Sequence, residues 1–344
     1  MEGHRGDLDR RTRQFQKLDE FVQRVLVREE PADHTRELDT AAAEVFRAFA
    51  AAGISALLLK GPALARLLYT DAEVRDYSDI DLLVAPKNLA GGRAALAELG
   101  FAKSGDALGI VDVAGVNHAE TWVAFRRGDD DASRELLLEL HLWLPGVRAP
   151  SEVAWNRLVP HQTRIELCGQ RVPVLNQGGQ AFHLALHAAQ HGTLYVRPQR
   201  ELALALERWP FPVWEQAAAL AAEVDAIDLF AAGLRLVSEG AELAETLELP
   251  STDQLDWEIR HRTARPRGTF HLQALLEQRG LSGRARVFRH ALLPSRAWMA
   301  RKYRWTGRGG VILVLGYAAH WASAPAWVIR AWRFQRRARR AARR

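Results

Sequence analysis

Between residues 134 and 144 leucine returns at every second position, as Leu136, Leu138, Leu140, Leu142 and Leu144. Period-two apolarity over eleven residues fits a β-strand with one face buried, because successive side chains leave a strand on opposite sides. The chain must therefore build a sheet and cover it with another layer. The other face of the same strand carries Glu135, Leu137, Glu139, His141 and Trp143, so polar side chains remain for chemistry. Residues 118–127 are also strand-like, and the polar stretch GDDDAS between the two runs predicts a hairpin.

The segments upstream alternate between helix and strand. Residues 13–29 and 36–52 have helical apolar spacing, the second stopped by Gly53. ISALLLKG is a short apolar strand, and PALARLLY a helix with Pro62 at its first position. Residues 79–85 (DIDLLVA) read as the next strand and 87–99 as a helix ending at Gly100. From Gln180 to about residue 265 the pattern is helical, including one helix over 226–240.

The expected organisation is α+β. An N-terminal helix (1–34) precedes a sheet domain with flanking helices (35–175). A helical acceptor-binding domain (176–265) and a basic, partly apolar helical arm (266–344) follow. The 48% apolar and 26% charged composition excludes collagen-like and disordered classes. A lone cysteine, Cys168, excludes an internal disulfide and a cysteine-based zinc site. With no apolar leader at the N-terminus, the expected location is cytoplasmic, with the arm peripheral at the inner membrane face.

Charge is divided unevenly. Residues 278–344 hold 17 Arg or Lys and no acid, so the remainder carries 30 − 41 = −11. That asymmetry predicts an anionic partner for the arm, either an anionic membrane surface or RNA. Within the arm, residues 309–329 are uncharged and just long enough to cross a bilayer. His320, Ser323, Pro325 and the many alanines weigh against crossing, so a docked or interfacial helix is expected.

Chemistry concentrates in residues 57–85. Asp79 and Asp81, two apart on a strand, project from one face and invite a divalent cation. Lys60-Gly61 stands where a strand turns into a helix, a place suited to phosphate, and Arg75 could add a guanidinium clamp. An acid-x-acid triplet alone is uninformative, since 41 acids in 344 residues give about five by chance. The simplest structural reading is two acids at the solvated start of a strand. The ordered set of strand, Lys-Gly, helix, Arg, Ser and Asp-Ile-Asp is much rarer.

This segment resembles the nucleotidyltransferases of the DNA polymerase β-like superfamily, and within it the group known as uncharacterised nucleotidyltransferases. A similar motif occurs in the nucleotidyltransferases of bacterial toxin–antitoxin systems. The matching residues are Lys60-Gly61, Ala63-Leu64, Tyr69, Arg75 and Asp79-Ile80-Asp81-Leu82. The superfamily's usual Gly-Gly or Gly-Ser pair is Gly61-Pro62 here. Its third carboxylate, on a neighbouring strand, falls on Glu139 by the acid-x-His signature, with Glu135 as the rival on the same face. The resemblance implies a polymerase β-like mixed sheet. It also implies Mg²⁺-dependent transfer of a nucleoside monophosphate from an NTP such as ATP to an acceptor hydroxyl, with release of pyrophosphate.

On that reading Asp79, Asp81 and Glu139 are the catalytic metal ligands, for two Mg²⁺ ions or alternatively Mn²⁺. Lys60, Gly61, Arg75 and Ser78 contact the nucleotide. His141, His187, His191 and Glu201 face the acceptor or support the site. His183, His187 and His191 form one helical stripe, which fits polar packing or substrate contact better than zinc, since no acid or cysteine accompanies them. The acceptor class stays open among small molecules, peptides, proteins and tRNA. The alternative is a decayed module of the same fold that binds RNA or anionic membrane through its arm; Pro62, which lacks an N–H, favours it.

Overall fold

The computed structural model describes residues 31–70, 75–103, 118–127, 133–193, 195–260 and 310–341, with isolated positions between 285 and 303. The helix expected at 13–29 and the hairpin turn at 128–132 lie outside the described residues. Seven strands form one mixed sheet. In chain order they are β1 (Ala56–Leu58), β2 (Asp79–Val84), β3 (Ala102–Lys103), β4 (Ala119–Arg127), β5 (Ser133–His141), β6 (Gln162–Leu167) and β7 (Gln170–Leu175). Their spatial order is β3-β4-β5-β2-β1-β7-β6. Strand β2 runs parallel to β5 and antiparallel to β1.

Each strand face belongs to a different core. Ile80, Leu82, Val84, Leu136, Leu138 and Leu140 pack with Leu38, Val45, Phe46 and Phe49 of helix α1 (Pro31–Ala51). The opposite face holds Asp79, Asp81 and Leu83, and Leu83 joins a second core shared with the helices from residue 151 onward. These are α4 (Ser151–Leu158), α5 (Gln177–His191), α6 (Val196–Arg208), α7 (Phe211–Glu223), α8 (Ile227–Leu234), α9 (Ser238–Thr246) and α10 (Asp253–Arg260). Two earlier helices complete the sheet region, α2 (Pro62–Leu67) and α3 (Leu89–Glu98). The acidic pair therefore looks toward the helical layer while its alternate neighbours anchor the sheet.

Three expectations change. Strand β5 stops at His141 rather than Leu144, because the N–H groups of Leu142 and Trp143 both turn to the His118 carbonyl (2.7 and 3.5 Å). Leu144 consequently swings into the helical-side core, away from Leu136, Leu138 and Leu140. The single helix expected at 226–240 is two, α8 and α9, separated at residues 235–237. Gly240, in the first turn of α9, packs so closely on the Leu234 carbonyl that a Cβ there would lie 2.2 Å from it.

The β6–β7 hairpin was not anticipated at all. Its two-residue turn places Cys168 and Gly169 at φ 47° and 75°, left-handed at both positions as a primed hairpin turn requires. The arm contains α11 (Gly310–Ala341), continuous through Pro325. Among the described residues, α11 is the one helix long and apolar enough to cross a membrane.

Candidate active site

The parallel pairing of β2 with β5 sets the site. Asp81 lies in register with Glu139, Asp79 with Leu137 and Leu83 with His141. Asp79, Asp81, Glu139 and His141 thus share one face across two adjacent strands. Glu135 lies two residues beyond the partner of Asp79, at the far end of β5, and is exposed. The register thus puts Glu139 beside the acidic pair and leaves Glu135 away from it.

Asp81 is the centre of the cluster. It is 2% exposed, and its Oδ2 accepts from Lys60 Nζ at 3.0 Å. His141 Nε2 meets its Oδ1 at 2.8 Å and lies 3.5 Å from Glu139 Oε2. Lys60 arrives there because β1 runs antiparallel to β2, with Leu59 N–H bonded to the Asp81 carbonyl at 2.9 Å. Donor atoms of Asp81, Glu139 and His141 lie within 4.8 Å of one another. Among the described residues, this is the one such group able to hold a metal ion. Asp79, which the sequence reading groups with Asp81 and Glu139, shares their face without belonging to this trio.

Electrostatics follow from burial and crowding. The Asp81 charge, then burial, pushes the Asp79 carboxyl up to about 7 against the pull of Lys60. Burial also acts to raise Asp81, but Lys60 and His141 outweigh it and hold this carboxyl well below the usual range. Burial acts to lower both Lys60 and His141, and the surrounding carboxylates raise both instead. The carboxylates thus favour the charged forms of Lys60 and His141, and of the two aspartates Asp79 is the one pushed toward its protonated form.

A divalent cation fits these residues. Like-charge crowding strong enough to lift Asp79 to about 7 is what such an ion relieves. Carboxylate oxygens suit Mg²⁺ or Mn²⁺, and His141 would join them as a ligand only on giving up its proton.

Gly61 shapes the turn into α2. Its φ is 56°, and an added Cβ would press within 3.4 Å of the Tyr77 ring. Tyr77 is fixed in turn by a hydrogen bond from its hydroxyl to Asp39, which also pairs with Arg66 at 2.8 Å. Pro62 occupies the first helical position. Ser78 is exposed immediately before β2.

Arg75 and Glu201 were expected to contact phosphate and acceptor separately, and the structure joins them. Arg75 donates from Nε to Glu201 Oε1 at 2.9 Å, and its Nη1 reaches the Gly61 carbonyl at 3.3 Å. Its guanidinium is thus held between Glu201 and the turn that carries Lys60 and Gly61.

The α5 histidines form a file above the carboxylates. Ring centroids of His183 and His187 are 6.2 Å apart, those of His187 and His191 4.4 Å, and Tyr195 follows at 5.1 Å. Burial, aided by the Lys60 charge, lowers His183 to about 3 and drives His187 well down. These imidazoles are neutral hydrogen-bonding groups.

Sequence reasoning missed His118 and Gln180. The His118 ring stands 5.3 Å from that of His141, and burial lowers it to about 4. Gln180 donates to the Leu59 carbonyl at 3.0 Å, tying α5 to the residue before Lys60. The signal for His118 was its place at the start of a strand that pairs with β5; Gln180 had none.

Among solved structures, the chain is similar to an antigenic nucleotidyltransferase-like protein from Paracoccidioides brasiliensis. Identity is 13% with a TM-score of 0.39, over 64% of this chain and 94% of that one. It is also similar to ANT(2")-Ia in complex with adenylyl-2"-tobramycin (15%, 0.36, 54% and 97%). A third is the lincosamide antibiotic adenylyltransferase LnuA with lincomycin bound (12%, 0.29, 47% and 91%). No curated protein matches the chain. The model of the family described as uncharacterised nucleotidyltransferase matches residues 23–241, more than half of the chain and all of the site just described. The chain belongs to that nucleotidyltransferase family.

Proposed function

We propose that this nucleotidyltransferase moves a nucleoside monophosphate from an NTP to an acceptor hydroxyl, using Asp79, Asp81 and Glu139 with a divalent cation, most simply Mg²⁺. The observation that carries the reading is the in-register pairing of Asp81 with Glu139, which brings a carboxylate from each strand to one buried cation-lined point. When bound there, a divalent ion neutralises phosphate charge and makes a nearby hydroxyl easier to deprotonate.

The chain's own residues supply the rest. Lys60 is a cation already held among the carboxylates, and it meets the triphosphate when the nucleotide arrives. The Gly61 turn, braced by Arg75 and Tyr77, lets the phosphates approach the backbone. Glu139, with its side chain 32% exposed, is the accessible carboxylate that receives the acceptor's proton. The acceptor oxygen bonds to the α-phosphorus, the bond from that phosphorus to the bridging oxygen breaks, and pyrophosphate leaves. His187, held neutral by burial, and His191 beside it face the acceptor from α5.

The test is to incubate the protein with each α-labelled nucleoside triphosphate, Mg²⁺ and cell lysate, then identify the labelled species. Label transfer from at least one NTP, lost in Asp81→Asn, is the expected result. Absence of transfer from all four, with no pyrophosphate released, would overturn the reading.

A further inference from the structure

Helix α11 has two faces of different character. One packs on the protein: the Tyr317 hydroxyl donates to the Pro294 carbonyl at 2.6 Å, and His320 Nε2 lies 2.8 Å from the Ala291 carbonyl. Ala331 and Phe334 are buried on the same side. The other face is apolar and largely exposed, with Val311, Val314, Leu315, Trp321, Val328 and Ile329 each between 43% and 76% exposed; Trp321, at its edge, also donates from Nε1 to the Leu292 carbonyl at 2.7 Å. Intervals of three, four and seven residues keep them on one side of the helix as far as Trp332, about 30 Å along at the helical rise. No charged residue interrupts it between 309 and 329.

The stripe then continues in cations. Arg336 and Arg340 follow Trp332 at successive intervals of four, both exposed, with the Arg336 guanidinium 5.2 Å from the Trp332 ring centroid. Exposed Arg330, Arg333 and Arg337 flank them, and no acid occurs after Glu277. An aliphatic stripe this long offers the phosphates of RNA nothing. A transmembrane path would tear the buried His320 and Tyr317 side from its carbonyl partners.

We infer that α11 docks the enzyme on an anionic lipid bilayer, lying in the plane of the interface. Its valine–leucine–tryptophan stripe enters the acyl boundary and its terminal arginines meet lipid phosphates. The occupant follows from charge complementarity and from the pairing of an apolar face with a basic end on one rod.

Flotation of the full chain with phosphatidylcholine vesicles, and with mixed phosphatidylcholine–phosphatidylglycerol vesicles, tests this. Binding to the anionic vesicles should exceed that to the neutral ones by more than about tenfold. Val328→Glu combined with Ile329→Glu should abolish it with little shift in melting temperature, because the two side chains are 43% and 47% exposed. Arg336→Glu with Arg337→Glu should weaken it and remove most of its salt dependence. Undiminished binding by the Val328/Ile329 variant would overturn the proposal. So would retention in the membrane after an alkaline carbonate wash, which signals a span. Tighter binding to a structured RNA than to the anionic vesicles, insensitive to the Val328/Ile329 change, would assign the arm to RNA instead.

Discussion

Arg75 and Glu201 are 126 positions apart and meet in a buried ion pair, with side chains only 6% and 3% exposed. The pair fastens the turn that presents Lys60 and Gly61 to helix α6, and the guanidinium also lies 5.9 Å from the Tyr77 ring centroid. Removing one partner strands the other charge away from water. Glu201→Ala should therefore cost about 3–5 kcal/mol in chemical denaturation, and Glu201→Gln less, since the amide oxygen still accepts a hydrogen bond. Arg75→Lys loses the forked geometry, and kcat/KM should fall by about tenfold or more. Wild-type stability in Glu201→Ala would show that the pair is not holding the turn.

The two aspartates should separate by stability while agreeing in activity. At pH 8 Asp79 is forced to ionise beside Asp81, so Asp79→Asn relieves repulsion. It should stabilise the metal-free protein by roughly 1–4 kcal/mol. Asp81→Asn instead deprives buried Lys60 and His141 of their counterion and should destabilise it by about 3–5 kcal/mol. Both should lower transfer by more than about 100-fold, and the double variant should lose Mg²⁺-dependent ATP binding in calorimetry. Destabilisation by Asp79→Asn would mean that Asp79 is a paired structural carboxylate.

Lys60 occupies the charge niche that a divalent cation would otherwise neutralise. Lys60→Met leaves the carboxylates uncompensated, so the melting temperature without metal should drop. The rise in melting temperature on adding Mg²⁺ should exceed that of wild type, and KM for the NTP should increase by about tenfold. An unchanged Mg²⁺ response would remove Lys60 from the site's charge balance.

His183 gives a pH signature. Its folded-state value of about 3 lies below the ordinary 6.5, so below pH 6.5 the unfolded chain binds the proton that the folded chain refuses. Stability is therefore lost as pH falls from 6.5 toward 4. Wild type should lose roughly 1.4 kcal/mol more than His183→Gln per pH unit in that window. Asp79 works in the opposite direction over part of the range, which is why the difference between the two proteins is the quantity to measure. Parallel stability–pH curves would show that His183 is protonated or hydrated in the native state.

Local pattern explains what the sequence made legible. Strand β5 announced itself because its leucines repeat with the strand period, and that same period placed Glu139 and His141 together on the other face. Asp79 and Asp81 shared a face for the same reason. The β6–β7 hairpin escaped notice because Cys168 fills a left-handed position that asparagine or aspartate usually advertises. The Arg75–Glu201 pair, the Gln180 bond to Leu59 and the His118 contact depend on strand order and helix docking over long separations. No local period records those.

Since β2 and β5 are bonded backbone to backbone, the spacing of Asp81 and Glu139 is fixed by the sheet itself. Helices α5 and α6 could shift without prying the two carboxylates apart. If the acceptor sits against them, as the proposed function has it, acceptor preference could change while the chemical engine stays constant.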